Sequence, residues 1–378
     1  MIYLDHAATT PILPEVREAM LAAMDTAWAN PGAGSHQPGA VAAEYVSEQR
    51  HQLADLLGID AAEIVFTGSA TEANNLAIMG YFAYGKRHSF LTAATEHSAV
   101  LACVAPLKAM GVECTILPVD TTGKLDLNQL ESALKAGVDL VSLMWVNNET
   151  GARHPISVVA ELCQRHGADL HVDAVQAPKC TPIVLHQGIS FLTLSAHKCG
   201  GPKGVGMLYR RQRPPTRLAP ILHGGAQERG LRPGTEAPHQ IAGLATALGV
   251  ALSKQPLFTD SARQWRTQFV EALSAVDGIT CHEALDQSPH ILSVLFDGVN
   301  GESLLFALPE LALASGSACT SNAMEPSHVI RAMGRDRQQA QSTLRISMGE
   351  GISSEVVIDA TSQILEAYQS LRAKSNGL

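Results

Sequence analysis

The sequence predicts an α/β fold, in which helices cover both faces of a mostly parallel β-sheet and a smaller α+β region follows. Short apolar runs alternate with helix-like segments from about residue 15 to residue 252, which is typical of parallel sheets built from strand–helix units. With 378 residues, the chain is long enough to form two domains. No internal repeat or low-complexity tract indicates a repeat protein or a disordered one.

Five short apolar runs are predicted to be strands of the large sheet. They are rich in β-branched and aromatic residues, as buried strands are. Amphipathic stretches at 72–81 and 156–166 are predicted to be helices between them. The five predicted strands span residues 64–66, 90–92, 140–146, 170–172 and 189–194.

The pattern changes near Ser253-Lys254-Gln255-Pro256. A polar helix is predicted at about 260–276, then an apolar strand at 291–296, and a last helix starting near Ser353 or Ser354, either of which can cap it. The sequence therefore predicts a large cofactor-binding domain at 14–252. A small α+β domain is predicted from 1–13 and 253–378 together.

Composition argues against several classes of function. A net charge of −9 without a basic block disfavours a nucleic-acid-binding surface. Residues 1–6 lack the features of a signal peptide, and the apolar stretch at 241–252 is too short to span a bilayer, so we expect a cytoplasmic protein with no membrane partner. Seven scattered cysteines without a C-x-x-C pair disfavour a zinc site or a disulfide framework, and no metal is expected.

Lys198 is placed directly after the last predicted strand of the large sheet, in Ser195-Ala196-His197-Lys198. An apolar setting at the rim of a sheet lowers the pKa of an amine and favours the nucleophilic form that makes a Schiff base. The alternative is a surface lysine that opens a loop. The other strand ends decide between the two, because ligands of open α/β sheets bind outside the carboxyl ends of the strands.

Three of those strand ends carry suitable groups. Residues 67–72 start a helix whose free N–H groups suit a phosphate, although Ser69 with Glu72 also forms an ordinary capping box. His97 can stack on a flat cofactor or transfer protons, or it can be a solvated loop histidine. Asn148 offers an amide at the rim of the sheet.

Asp173 ends the fourth predicted strand. A buried carboxylate needs a partner, and a protonated pyridine nitrogen supplies one, whereas a helix N-cap is the alternative. Together with Lys198, these groups indicate a site for pyridoxal 5′-phosphate. The glycine-rich segment at 200–206 meets neither the Rossmann nor the P-loop spacing and is expected to be a turn beside the cofactor.

Two further side chains lie in the C-terminal region. Cys319 is in the small, polar segment 315–322, where a thiol would be an accessible nucleophile; a tolerated loop cysteine is the alternative. Arg345 alternates within an apolar strand, and a buried arginine there can clamp a carboxylate or form a structural salt bridge.

The chain resembles the cysteine desulfurases of the NifS/IscS type, which belong to the class V aminotransferases. The resemblance covers essentially the whole length. It rests on motifs that occur in the family's order, at residues 3–11, 68–75, 95–97, 146–149, 171–176, 195–198, 200–206, 232–235 and 315–321.

The resemblance implies a homodimer of the fold type I of pyridoxal phosphate enzymes, with active sites at the subunit interface. It implies a Schiff base on Lys198, with Asp173 facing the pyridine nitrogen and His97 stacked on the ring. Gln176 and Asn148 would lie near the ring hydroxyl. The cofactor phosphate and the segment beside it would involve Ala70, Thr71, Ser195, Ala196, His197 and, from the neighbouring subunit, Thr235.

The resemblance also implies the reaction. Arg345, with Asn148 nearby, would hold the carboxylate of L-cysteine, and Lys198 would move the α-proton. Cys319 would attack the substrate sulfur, so that L-alanine leaves and a persulfide remains on Cys319. The segment from 319 to 326 resembles the longer catalytic loop of this subgroup, which passes the persulfide to an acceptor protein such as an iron–sulfur scaffold or a thiolation enzyme.

Some positions depart from the family pattern. Ala196 stands where glycine is frequent, Pro233 where serine is frequent, and Cys199 where an aromatic or aliphatic residue is usual. The chain ends at Leu378 without the extension of members that dock an iron–sulfur scaffold. The acceptor therefore stays open among iron–sulfur assembly, tRNA thiolation and DNA phosphorothioation.

Three alternatives to a desulfurase remain. A cystine or selenocysteine lyase on the same scaffold would not need Cys319. An inactive family member could act as a protein-binding scaffold, although the presence of Lys198, Asp173, His97 and Cys319 argues against it. A nicotinamide-dependent dehydrogenase lacks support, since no GxGxxG motif is present.

Overall fold

A computed structural model describes residues 1–315 and 325–376 of the protein. Its helices and strands follow the predicted alternation through the first two thirds of the chain. The helices are α1 Pro14–Thr26, α2 Gln37–Leu57, α3 Ala70–Phe82, α4 Ser98–Leu101, α5 Val104–Ala109, α6 Leu127–Gly137, α7 Ile156–His166, α8 Pro238–Ser274, α9 Gly301–Phe306, α10 His328–Ala332, α11 Arg337–Gln341 and α12 Ser354–Asn376.

The strands belong to three sheets. They are β1 Ile2–Tyr3, β2 Ile64–Thr67, β3 Ser89–Ala93, β4 Glu113–Leu117, β5 Leu140–Met144, β6 Asp169–Asp173, β7 Ile189–Ser195, β8 Gly206–Arg210, β9 Ile279–His282, β10 Ile291–Phe296, β11 Leu311–Ala312, β12 Ala314–Ser315 and β13 Thr343–Ser347.

The large sheet has seven strands in the order β2-β8-β7-β6-β5-β3-β4. The neighbours from β7 to β4 pair in parallel, while β8 is antiparallel to both β7 and β2. The predicted α/β class with a mostly parallel sheet is confirmed. The main apolar core lies between this sheet and its helices, and includes Leu143, Val172 and Leu192, which are fully buried.

A second sheet of four antiparallel strands has the order β12-β13-β10-β9. Its apolar cluster contains Phe269, Phe296 and Tyr368, and Leu4 from the N-terminal segment also packs there. This arrangement agrees with the predicted grouping of the N-terminal segment with the last third of the chain, and the domain bounds themselves stay a prediction.

The predicted start of a separate helix at about residue 260 is wrong, because α8 runs unbroken from Pro238 through Pro256 to Ser274. An internal proline costs roughly 3 kcal/mol of helix stability. Both halves of α8 are packed, the first against α1 and α2 and the second against α12 and β9, and this burial outweighs the proline. In the described part of the chain, α8 is the one helix long and apolar enough to span a membrane, and its buried face, with Leu244 and Phe269, packs inside the protein.

The last helix settles the choice between the two serines. Ser353 precedes α12, and its Oγ accepts a hydrogen bond from the backbone N–H of Val356 at 3.3 Å. Ser353 is therefore the N-cap, as one of the two predicted alternatives.

Candidate active site

The carboxyl ends of the parallel strands surround a cavity of about 270 Å³. Most of the predicted site residues line it, although they come from six separate segments of the chain. Those at the cavity wall are Ala70, Thr71, His97, Asn148, Asp173, Gln176, His197, Lys198 and Arg345.

Three predicted residues of the described part of the chain do not line this cavity. Ser195 and Ala196 are buried next to it, at the end of β7 and in the short 3₁₀ turn Ala196–Lys198. Thr235 is exposed on a different segment of the same chain. Cys319 lies outside the described residues.

Lys198 closes the 3₁₀ turn that follows β7. Its Nζ donates hydrogen bonds to the backbone carbonyls of Ala7 and Ala8, at 2.7 and 2.8 Å. Ala7 O also accepts from the side-chain amide of Gln176 at 2.8 Å. The N-terminal segment therefore holds both residues at the cavity wall, a contact that the strand pattern alone does not predict.

The carboxylate of Asp173 is held from two sides. Its Oδ1 accepts from the backbone N–H of Val175 at 3.1 Å, and its Oδ2 accepts from the amide of Asn74 at 2.8 Å. No helix starts after Asp173, so the N-cap alternative does not apply. Asn74 lies on the buried face of α3, and sequence reasoning missed it as a site residue, since its role depends on the approach of α3 to β6.

The first turn of α3 faces the same cavity. Ser69 caps this helix, with its Oγ accepting from the N–H of Glu72 at 3.1 Å, and the N–H groups of the first turn lack partners within the helix. Glu72 instead accepts from Gly68 N and from Arg232 Nε, both at 2.8 Å. The helix N-terminus thus remains available to an anion such as a phosphate.

His97 is the N-cap of α4, and its Nδ1 accepts from the N–H of Ala99 at 3.1 Å. Burial lowers the pKa of the imidazole, while Asp173 acts in the opposite direction. The ring is therefore neutral at pH 7 with its proton on Nε2. A neutral ring held in this way is suited to stacking on a flat group.

Arg345 forms the structural salt bridge, one of its two predicted alternatives, and the carboxylate clamp stays a prediction. Arg345 lines the cavity, and its Nη2 makes an ion pair with Oδ1 of Asp5 at 2.7 Å. Its Nη1 donates to the carbonyl of Asn148 at 2.8 Å. The side chain is 4 % exposed, so the pair is shielded from water.

Glu96 is a second residue that sequence reasoning missed. It is fully buried directly before His97, and its Oε1 accepts from the N–H of Met144 at 2.8 Å. Burial raises the pKa of this carboxyl well above its usual range. In the sequence, Glu96 is marked only as a carboxylate after a predicted strand, and ordinary turns carry carboxylates at such positions as well.

The segments on either side of Cys319 are anchored near the cavity. Ala314 pairs with Arg345 across β12 and β13. On the other side, Ser327 Oγ donates to Oε2 of Glu149 at 2.5 Å, and His328 Nε2 donates to the carbonyl of Glu96 at 2.9 Å.

The six cysteines in the described part of the chain are free and poorly suited to nucleophilic attack. Burial raises the thiol pKa of each of them, with the largest effects at Cys163 and Cys199, where it reaches about 12. Four of the six are buried, namely Cys103, Cys163, Cys180 and Cys199, and the other two are half-buried.

Comparisons with known proteins agree with this architecture. The profile of the family described as "Aminotransferase class-V" matches residues 2–357. A cysteine desulfurase IscS from Shewanella frigidimarina is 42% identical over 382 residues, covering 99% of this chain and 94% of that protein. An IscS from Proteus mirabilis is 41% identical, covering 98% and 93%.

Solved structures show the same likeness. A NifS-like protein superimposes with a TM-score of 0.90 at 31% identity, covering 98% of this chain and all of that one. SspA in complex with cysteine gives 0.79 at 32% identity, covering 92% of this chain and 99% of SspA. DndA from Streptomyces lividans gives 0.78 at 34% identity, covering 91% and 99%.

Proposed function

Because the chain belongs to the class-V aminotransferase family and is a cysteine desulfurase within it, we propose that its central cavity binds pyridoxal 5′-phosphate and L-cysteine. The observation that carries the proposal is the convergence of Lys198, Asp173 and His97 on one cavity at the strand ends. The amine of Lys198 suits the Schiff base, and the carboxylate of Asp173, fixed by two hydrogen bonds, suits the pyridine nitrogen. The neutral imidazole of His97 suits the face of the ring.

The donor set fits the whole cofactor. Asp173 would pair with the pyridine nitrogen, His97 would stack on the ring, and Gln176 and Asn148 would hold the hydroxyl edge. When bound, the cofactor supplies an electron sink for the bonds at the substrate α-carbon. The phosphate is assigned to the N-terminal turn of α3 with its neighbours Ser195 and His197, and to Thr235 of a second copy. Thr235 is exposed, so a second copy can reach it, and the proposal includes a homodimer.

Lys198 acts at the substrate α-carbon. Its amine donates to two backbone carbonyls, which hold it at the cavity wall. From this position Nζ takes the proton from the α-carbon of L-cysteine and returns one to the product. Arg345 binds the substrate carboxylate, and Asn148 fixes the guanidinium through its carbonyl.

Cys319 is proposed as the sulfur acceptor. Its thiolate attacks the substrate sulfur, a sulfur–sulfur bond forms, and the substrate carbon–sulfur bond breaks with its electron pair left on carbon. Protonation of that carbon gives L-alanine, and the persulfide stays on Cys319. The raised pKa values of the six described thiols support Cys319 in this role, as does the anchoring of both flanking segments beside the cavity.

An acceptor protein then takes the outer sulfur. An iron–sulfur scaffold or a thiolation enzyme has the required chemistry, a thiol or another nucleophile that attacks the persulfide. The free state of the six described cysteines suits a reducing compartment, so the proposal places the reaction in the cytoplasm.

The proposal is tested by incubating the purified protein with L-cysteine and measuring alanine and sulfide in the presence of a thiol reductant. Cys319→Ala is expected to lose both products while it keeps the cofactor absorbance, and Cys114→Ala, a half-buried control, is expected to keep both. Equal turnover by Cys319→Ala would contradict the desulfurase mechanism and favour a lyase that needs no thiol.

A further inference from the structure

A second cavity, of about 100 Å³, lies behind the backbone that carries Lys198. Cys199 and Gly200 form one wall, and the N-terminal segment forms another, with His6 and Thr10. The remaining wall comes from the middle of α8, where Ala251 and Phe258 contribute apolar surface. No residue that lines this cavity lines the central one.

Lys179 supplies a positive charge to this cavity. Its ammonium lies 5.4 Å from the centre of the Phe258 ring, and in the part of the chain that the structure describes it makes no ion pair with a carboxylate. Burial lowers the pKa of this amine to about 8, which still leaves most of it charged at pH 7. The exposed Glu350 acts on this cation across the cavity but makes no direct ion pair with it, so an anion that reaches Lys179 gains a contact that no carboxylate of the described chain makes.

His6 is a second polar group in the wall. It is 5 % exposed, and its Nδ1 has no hydrogen-bond partner among the described residues. Burial lowers its pKa to about 3, so the ring is neutral at physiological pH. A neutral imidazole carries one N–H that can donate to an anion without adding a second charge.

The other charged groups at the cavity limit the charge of a ligand. Lys254 is already paired with Glu15 at 3.3 Å, and Glu350 is an exposed carboxylate. Only Lys179 is left to neutralise an anion, and Leu13, Ala251 and Phe258 are apolar. Desolvating a multiply charged phosphate or sulfate against such walls is costly. A ligand with one negative charge and a short alkyl group matches the single cation and the apolar walls.

We propose that this cavity is a second binding site, for a short-chain monocarboxylate whose carboxylate pairs with Lys179 and whose alkyl end lies against Ala251 and Phe258. The ligand would touch both segments that hold Lys198. Those segments are joined by hydrogen bonds from Thr10 N to His197 O at 2.9 Å, from Gly200 N to Thr10 Oγ1 at 2.8 Å and from Leu13 N to Gly200 O at 2.9 Å.

The test is calorimetric titration of the cofactor-loaded full-length protein with sodium propionate at pH 7. Lys179→Met keeps the length of the side chain and removes the charge, and we expect the affinity to fall at least tenfold. Ala251→Leu keeps Lys179 and fills the cavity from α8, and the same loss is expected. Lys135→Met, which removes an exposed lysine of α6, should bind propionate as the wild type does.

Arg345→Met tests whether propionate binds in the central cavity instead, because Arg345 is a cation at that cavity. The proposal requires that propionate binding persists in Arg345→Met. It is overturned if Lys179→Met and Ala251→Leu bind as tightly as the wild type, or if all binding disappears with Arg345. Thermal melting of each variant confirms folding, and should Lys179→Met not fold, the result for Ala251→Leu decides.

Discussion

Arg345 Nη2 lies 2.7 Å from Oδ1 of Asp5, so the arginine proposed to bind the substrate carboxylate is already paired with a residue of the N-terminal segment. Asp5 is itself fixed by a bridge to Ser347, two residues beyond the arginine. A substrate carboxylate must therefore approach a guanidinium whose charge is partly neutralised.

Asp5→Asn is expected to lower the KM for L-cysteine roughly tenfold with little change in kcat. The reason is that a competing negative charge is removed, and about 1.4 kcal/mol of binding energy becomes available equally in the ground state and the transition state. Steady-state kinetics of alanine formation measure this, with Glu15→Gln as a control for the loss of one carboxylate. A raised KM would show instead that Asp5 positions the guanidinium.

Asn74→Ala is expected to weaken cofactor binding about tenfold, since a hydrogen bond to a charged group contributes roughly 1.5–3 kcal/mol and water can replace part of it. The affected contact is the 2.8 Å bond to Asp173 Oδ2. The dissociation constant of pyridoxal phosphate, from absorbance titration, is the measurement. Asn75→Ala is the matched control, because the amide of Asn75 donates to a backbone carbonyl of its own helix; equal losses in both variants would refute a specific role for Asn74.

His171 predicts an acid-sensitive core. It is fully buried between Ser142 and Thr193, and burial lowers its pKa from 6.5 to about 4. Because the folded-state pKa is the lower one, the unfolded chain binds more protons below pH 6.5, and stability is lost as the pH falls from there towards 4. We expect about 2 kcal/mol of the free energy of unfolding to be lost from this residue by pH 5.

Denaturant titrations at pH 7.5 and pH 5, at one protein concentration, test this expectation. His171→Gln should show a smaller loss between the two pH values than the wild type, by about that amount. An identical loss in both proteins would assign the acid sensitivity to other groups. His154 and His282, whose pKa values burial also lowers to about 4, would then be the next to examine.

Gly206 lies against the start of α3. A Cβ there would come within 2.8 Å of Ser69 C and 2.9 Å of Ala70 N, and backbone atoms cannot move aside as a flexible side chain can. Gly206→Ala should therefore displace the turn assigned to the phosphate and weaken cofactor binding at least tenfold, measured by absorbance titration. Gly249→Ala, in α8 with its nearest contact at 3.6 Å, should bind normally, and normal binding by both variants would contradict the assignment.

The sequence predicted the positions that depend on local pattern. Lys198, Asp173 and His97 each come within five residues of the end of an apolar run, and strand ends of a parallel sheet meet at one edge. Their convergence on one cavity follows from the fold class, once the order of the runs is known.

Contacts between distant segments could not be predicted in this way. Asp5 meets Arg345 across 340 residues of sequence, and Asn74 meets Asp173 across 99. Two strands of the large sheet were also missed. The edge strand β4 exposes most of its residues, and β8 pairs antiparallel after a glycine-rich turn, so neither carries the continuous apolar run of a buried parallel strand.

The most direct test of the account is to reduce the protein with borohydride after adding pyridoxal phosphate, and to map the modified peptide by mass spectrometry. The account predicts one modification per chain, on Lys198, and the loss of that modification together with all alanine formation in Lys198→Ala. A modification on a different lysine, or undiminished activity of Lys198→Ala, would contradict it.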